Sequence, residues 1–233
     1  MNKEKVFTQE ELDELGTTTL DLIERAIDAG DYKKAKELSK RMYKEFMMQH
    51  DFYRDWAAAL FSFIGKRDGD EALHEALEEC ILGAGYKELL ESEKKKSVRQ
   101  RVENVASMLR GHGFPTGIRE DKEKFVFKQT PCGSGGRLIL EGRYGPPRNF
   151  LKVKEPQAMT YGRKDFPVYC CHGQLLASIP LSWGKAPWFL EIPSAKLGEE
   201  PCELWLYKDP EGIPPEAYEK GGIKKGCMPK KSC

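Results

Sequence analysis

The spacing of apolar and polar positions changes near residue 113. Before that point apolar residues recur every three or four positions, the period of an amphipathic helix. After it they fall in short runs broken by Gly and Pro, which read as strands. Four helices are expected in the first part. One starts at Thr8, with Glu11 three residues on as in a capping box, and ends near Gly30. Asp31 caps a second that runs to about Gly65. A third begins around Asp70, weakens at Gly83 and Gly85, and resumes over Tyr86–Leu90. The fourth covers roughly Lys94–Arg110 and stops at Gly111 and Gly113, before Pro115. Along the second, Tyr43, Phe46, His50, Tyr53, Ala57, Leu60 and Ile64 follow alternating steps of three and four, widened by Met47 and Phe61. That seam is expected to face other helices and to carry the His50 imidazole inward, close to Asp51, Arg54 and Asp55.

Beyond residue 113, Lys124–Lys128 and Arg137–Leu140 read as strands flanking a tight loop. Pro167–Cys171, Trp188–Ile192 and Glu203–Tyr207 follow, with no helix until about Pro215–Lys220. The expected fold class is α+β: a helical bundle over residues 1–113, then a small, irregular, β-rich metal-binding domain over 114–233 with a mobile C-terminal tail. Composition reinforces the division, because all 14 prolines lie after residue 113 and proline is the residue helix interiors exclude. The core of so small a β domain would be thin, and a metal would help to hold it.

Length and charge narrow the function classes only a little. The chain has 233 residues, 32% charged and 39% hydrophobic, with a formal net charge of +1, so bulk charge favours neither a nucleic-acid nor a membrane partner. The basic residues of the fourth helix, Lys94 to Arg110, are interleaved with Glu91, Glu93 and Glu103 and read as a solvated face rather than a nucleic-acid surface. No apolar run approaches the ~20 residues needed to span a bilayer. The N-terminus lacks the apolar core of a signal peptide, so a cytoplasmic location is expected. In a reducing compartment cysteines serve as buried hydrophobes, metal ligands or nucleophiles more often than as disulfide partners. Six of the seven here lie after residue 130. Cys80 reads as core, and Cys227 and Cys233 as bystanders in the tail.

Two segments carry unusual chemistry. The loop Thr130-Pro131-Cys132-Gly133-Ser134-Gly135-Gly136-Arg137 places a cysteine before three glycines. Cys132 can be a thiolate ligand whose sulfur accepts backbone N–H groups. Alternatively the loop can cradle an anion with Arg137 pairing to it, or Cys132 can be a nucleophile if a base stands near. In Tyr169-Cys170-Cys171-His172-Gly173, a strand would put Cys170 and His172 on one side and Cys171 on the other; a turn would let Cys171 join them. Cys202, after Pro201, is the natural fourth ligand. Thiolate and imidazole suit zinc, with iron as the alternative.

These pieces resemble a bacterial family of unassigned activity. Its pattern is a helical first half with a His-Asp-rich second helix, then TPCGSGGR, a Tyr-Cys-x-His-Cys segment and a Pro-Cys before a Tyr-Lys-Asp-Pro turn. They match here at His50–Trp56, Thr130–Arg137, Tyr169–Gly173, Pro201–Cys202 and Tyr207–Pro210. The resemblance implies a metal site without naming a reaction. Where the pattern puts a second cysteine after the histidine, this chain has Gly173, so either Cys171 substitutes or a position is left open.

Two functions follow. With three ligands and an open position, the ion acts as a Lewis acid. The protein is then a hydrolase or lyase for a small anionic substrate, anchored by Arg137, with His50 or Asp55 as acid or base, in a cleft between the halves. With four ligands the zinc is structural, and the protein acts by binding a partner protein or small ligand, with Trp183, Trp188 and Trp205 available for contact.

Overall fold

The computed structural model describes residues 6–223; Cys227 and Cys233 lie outside them. The chain divides into two compact units, Met1–Phe52 and Tyr53–Cys233. The first begins with α1 (Gln9–Gly16) and α2 (Thr19–Asp28), and the division falls inside α3 (Tyr32–Gly83). Thr8 and Glu11 form the expected capping box. The single helix expected from Thr8 to Gly30 is two, because Thr17 takes extended backbone and Thr18 caps afresh, its hydroxyl accepting the Asp21 N–H at 3.2 Å. Asp31 caps α3, accepting the Lys34 N–H at 2.9 Å. Leu22, Ile23, Ala26, Ala35 and Leu38 form this unit's buried cluster.

α3 continues past the expected stop at Gly65 and breaks only at Gly69, where φ is 88°. Gly65 is a packing residue rather than a terminator: a Cβ there would lie 2.5 Å from the Leu151 side chain. The apolar seam read along this helix is not its buried face, since Tyr43, Phe46, Tyr53 and Leu60 are all exposed. In the second unit the buried row is Arg54, Ala58 and Ser62. Its small residues let the chain come close. Ser62 Oγ accepts the Leu151 N–H at 2.9 Å, and Ala58 packs with Leu138 and Phe150. Cys80 is also exposed rather than core.

The second unit continues with α4 (Tyr86–Glu93), α5 (Val98–Arg110), β1 (Thr116–Glu120), β2 (Lys124–Gln129), α6 (Gly135–Leu140), β3 (Lys152–Val153) and β4 (Phe166–Pro167). It ends with α7 (Cys171–Ser182), β5 (Leu190–Ile192), β6 (Glu203–Tyr207) and α8 (Pro215–Lys220). The result is mixed helix and sheet, as the α+β reading expects. β1, β2, β6 and β5 form an antiparallel sheet in that order, and β3 pairs with β4. Val105 and Leu109 of α5 share a buried cluster with Phe127 of β2 and Leu206 of β6. Helix and sheet on either side of residue 113 therefore build one core.

β2, β6 and α8 stand where the pattern places them. Arg137–Leu140 does not: it is helical, with the Glu141 N–H donating to the Arg137 carbonyl at 2.8 Å. A four-residue apolar run does not distinguish strand from helix, and here Leu138 is buried while Leu140 is exposed. Pro167–Cys171 gives one residue of strand, Pro167 at the end of β4, and a 3-10 turn, Val168–Cys170, that leads directly into α7. Gly173 and Pro180 inside α7 mask it in the sequence, since both disfavour helix interiors. Among the described residues no helix is long and apolar enough to cross a membrane.

Candidate functional site

Within the second unit a cavity of about 130 Å³ lies where the end of α5, the loop after β2, the start of α7 and strand β5 meet. Cys132, Cys170, His172 and Cys202 all line it. Four residues drawn from three separate stretches of sequence thus reach one space.

The glycines of this loop serve close approach rather than left-handed backbone, since none of them has positive φ. A Cβ on Gly133 would stand 2.5 Å from His112 Cβ. On Gly135 it would stand 2.5 Å from Cys170 Sγ, and on Gly136 2.6 Å from Cys132 Cβ. Only glycine lets α6 start this near the two thiols and the histidine. Buried Gln129 ties the loop to α5: its Nε2 donates to the Leu109 carbonyl at 2.6 Å, and its Oε1 accepts the Gly133 N–H at 3.0 Å. Cys132 Sγ accepts the Gly136 N–H at 3.4 Å, the sulfur-accepting geometry expected of a knuckle cysteine.

His172 packs edge-on against Tyr169, with ring centroids 5.3 Å apart, and its Nδ1 meets the Tyr169 carbonyl. A carbonyl only accepts, so Nδ1 carries a proton, and Nε2 is the nitrogen left to meet a ligand. Glu191 is the residue the sequence reading missed. It lines the same cavity, and a Cβ on Gly173 would lie 2.1 Å from its Oε2. The carboxyl of Glu191 therefore fills the space that a side chain at 173 would need. Its one sequence signal is a lone charge inside the apolar run Trp188–Ile192.

Burial raises the Glu191 pKa, an effect that His172 partly opposes. Burial also raises the Cys170 thiol well above its usual value, with further contributions from Cys132, Cys202 and Glu191. Cys202 is pushed up to about 12, first by burial and then by Glu191. The apolar wall includes Met108, Leu109, Phe189 and Leu204, and among the described residues no Lys or Arg lines the cavity.

The remaining candidates lie elsewhere. Cys171 turns into the core among Leu73, Met159 and Phe166, and its Sγ donates to the Pro167 carbonyl at 3.8 Å. Asp55 and Arg137 belong to an ion-pair network that does not line the cavity. Arg54 meets Asp55 at 2.8 Å and Glu141 at 2.7 Å, and Arg137 meets Glu141 at 2.8 Å. Arg137 also stacks over Phe114, 5.1 Å from the ring centroid. His50, in the first unit, is half-buried, with Nδ1 3.0 Å from Asp51 Oδ1. Among the described residues no three His, Cys, Asp or Glu side chains are grouped so as to hold a metal ion as they stand.

Compared with family models, curated proteins and solved structures, the chain gives no match, so the reading of the site rests on its own geometry. One expectation follows directly. Gly136→Ala should cost about 1–2 kcal/mol, because the new methyl overpacks against Cys132 Cβ, which cannot swing away. It should also displace the Cys132 sulfur. Denaturant titration alongside thiol labelling of Cys132 checks both, and an unchanged midpoint would show that the loop has slack.

Proposed function

We propose that the second unit binds a metal, zinc in the first place and iron as the alternative, through Cys132, Cys170, His172 and Cys202. The observation that carries this reading is the convergence of three thiols and a histidine on one cavity that, among the described residues, no Lys or Arg lines. Soft sulfur and borderline nitrogen donors are what zinc selects. Thiols that oppose one another's ionisation gain most from a cation among them, and binding releases their protons. As the side chains stand, no three are close enough around a point, so binding draws the thiols together. Cys171 faces the core and is left out.

If all four residues coordinate, the site is closed and joins the loop after β2, the start of α7 and the approach to β6. If one withdraws, the ion supplies Lewis acidity to the space bounded by Met108, Leu109 and Leu204, which would admit a small substrate for hydrolysis or elimination. An anionic substrate would be drawn by the ion itself, since Arg137 is engaged with Glu141. A second reading, Cys132 as a nucleophile with His172 Nε2 as its base, is favoured by the Gly136 N–H on the sulfur.

The test is metal analysis by mass spectrometry on the full chain purified without an affinity tag. About one zinc per chain is expected, largely lost in Cys132→Ser, His172→Ala and Cys202→Ser but retained in Cys171→Ser. Absence of bound metal both in fresh protein and after zinc loading and desalting would overturn the metal reading. Fast iodoacetamide labelling of Cys132 that His172→Ala slows would then support the nucleophile.

A further inference from the structure

Two acids line the thiol cavity, Glu191 and Glu200. Glu200 is exposed, and water serves it; Glu191, in the middle of β5, is not exposed. Alternate residues of a strand point to opposite faces. Leu190 and Ile192 accordingly turn to the cluster that holds Ala177 and Tyr218, and Glu191 turns the other way. Its neighbour across the strand pair is Leu204, which also lines the cavity. The one charge in the apolar run Trp188–Ile192 therefore falls where β5 meets the thiols.

The carboxyl lies against the first turn of α7, since a Cβ on Gly173, the residue after His172, would stand 2.1 Å from Glu191 Oε2. The Tyr161 hydroxyl packs against the same glycine and is sealed off, whereas neither Glu191 oxygen is. The acid thus borders open space that it shares with Cys132, Cys170, Cys202 and His172. Among the described residues no Lys or Arg lines that space. A carboxylate held there as an ion costs several kcal/mol unless a cation meets it. Leucine would serve the strand's packing without that cost. A metal ion is the cation that would suit the acid and the thiols together.

We infer that Glu191 is itself a ligand of the metal proposed above, placing one carboxylate oxygen beside His172 in the coordination sphere. This inference rests on that metal reading and adds to it a hard donor among soft ones. An oxygen donor suits zinc, iron(II) and cobalt(II), and it disfavours copper(I), which selects sulfur.

Cobalt(II) loading of the full chain tests it, because the d–d bands report the donor set and the sulfur-to-cobalt charge-transfer band reports the thiolates. Glu191→Gln keeps the shape of the side chain and removes its charge. It should alter the d–d bands, leave the charge-transfer intensity per cobalt unchanged, and raise the cobalt Kd at least tenfold. Without metal, its urea midpoint should equal or exceed that of the unaltered chain. Superimposable d–d bands overturn the inference even if affinity falls, since an acid acting through another residue would weaken binding without entering the donor set; the metal reading then stands. A metal-free midpoint well below wild type also overturns it, by showing that the acid holds the fold. Failure of the unaltered chain to take up cobalt or zinc overturns the metal reading, and this inference with it.

Discussion

Glu141→Gln is expected to destabilise the protein by about 2 kcal/mol at neutral pH, between the small worth of an exposed ion pair and the cost of breaking a buried one. Glu141 is the hub of a network in which Arg54, Arg137 and Arg143 approach it at 2.7, 2.8 and 3.3 Å. Asp55 shares the load, at 2.8 Å from Arg54 and 3.4 Å from Arg143. Neutralising Glu141 removes the carboxylate that three guanidinium groups share, and the side chain of Arg54 is just 1% exposed, so it cannot turn to water. Burial alone would raise the Glu141 pKa. The hydrogen bond and charge of Arg54, then Arg137 and Arg143, more than offset it, and the net shift is downward. A depressed carboxylate contributes stability that is present above its unfolded value, ~4.3, and lost as pH falls through the lower folded value. The gap between wild type and Glu141→Gln should therefore narrow as pH drops below about 4, in urea titrations run at stepped pH. A gap under 1 kcal/mol at pH 7, or one that stays constant into acid, would show that the network contributes little. The result matters for the site, because Glu141 follows directly on α6, the helix whose first residues, Gly135 and Gly136, pack against the cavity thiols.

That network also shows where the sequence was readable and where it was not. Cys132, Cys170, His172 and Cys202 could be grouped because thiols and an imidazole in glycine- and proline-marked segments read as candidate ligands, and all four line one cavity. The partners that surround them are long-range. Glu191 is a single acid in an apolar strand, and nothing local says that its carboxyl occupies the space beside Gly173. Arg137 next to a glycine loop reads as an anion clamp until α6 forms and brings Glu141 one turn away. The helix caps at Thr8 and Asp31 were legible because capping is a matter of a few neighbouring residues. The buried face of α3 was not. Large apolar side chains such as Tyr53 and Leu60 suggested a seam, but the chain packs on the row of Ala58 and Ser62, where small residues permit contact. Short runs failed for a related reason: RLIL holds too few residues for either period to assert itself, and α7 is masked by Gly173 and Pro180.

Phe127→Ala should have the largest effect, about 3–5 kcal/mol, the usual cost of emptying a buried aromatic site. Phe127 is fully buried on β2, the strand paired on both sides, opposite Ile118 of β1 and Leu204 of β6. It packs in the cluster that includes Val105 and Leu109 of α5, Phe189 and Leu206. Helix and sheet meet there, so the void cannot close without moving one of them. Leu109, Phe189 and Leu204 also form part of the thiol cavity's apolar wall, and so relaxation into the void should loosen the site as well as the fold. Ile118→Ala is the control. It lies directly across the strand pair, but its side chain is 48% exposed, and its loss should cost less than about 1 kcal/mol. Guanidinium titrations of both variants, with equal slopes, separate burial from strand pairing. If the two substitutions cost the same, the sheet would be held by its ladder rather than by the α5–β2 core, and the wall of the cavity would owe nothing to Phe127.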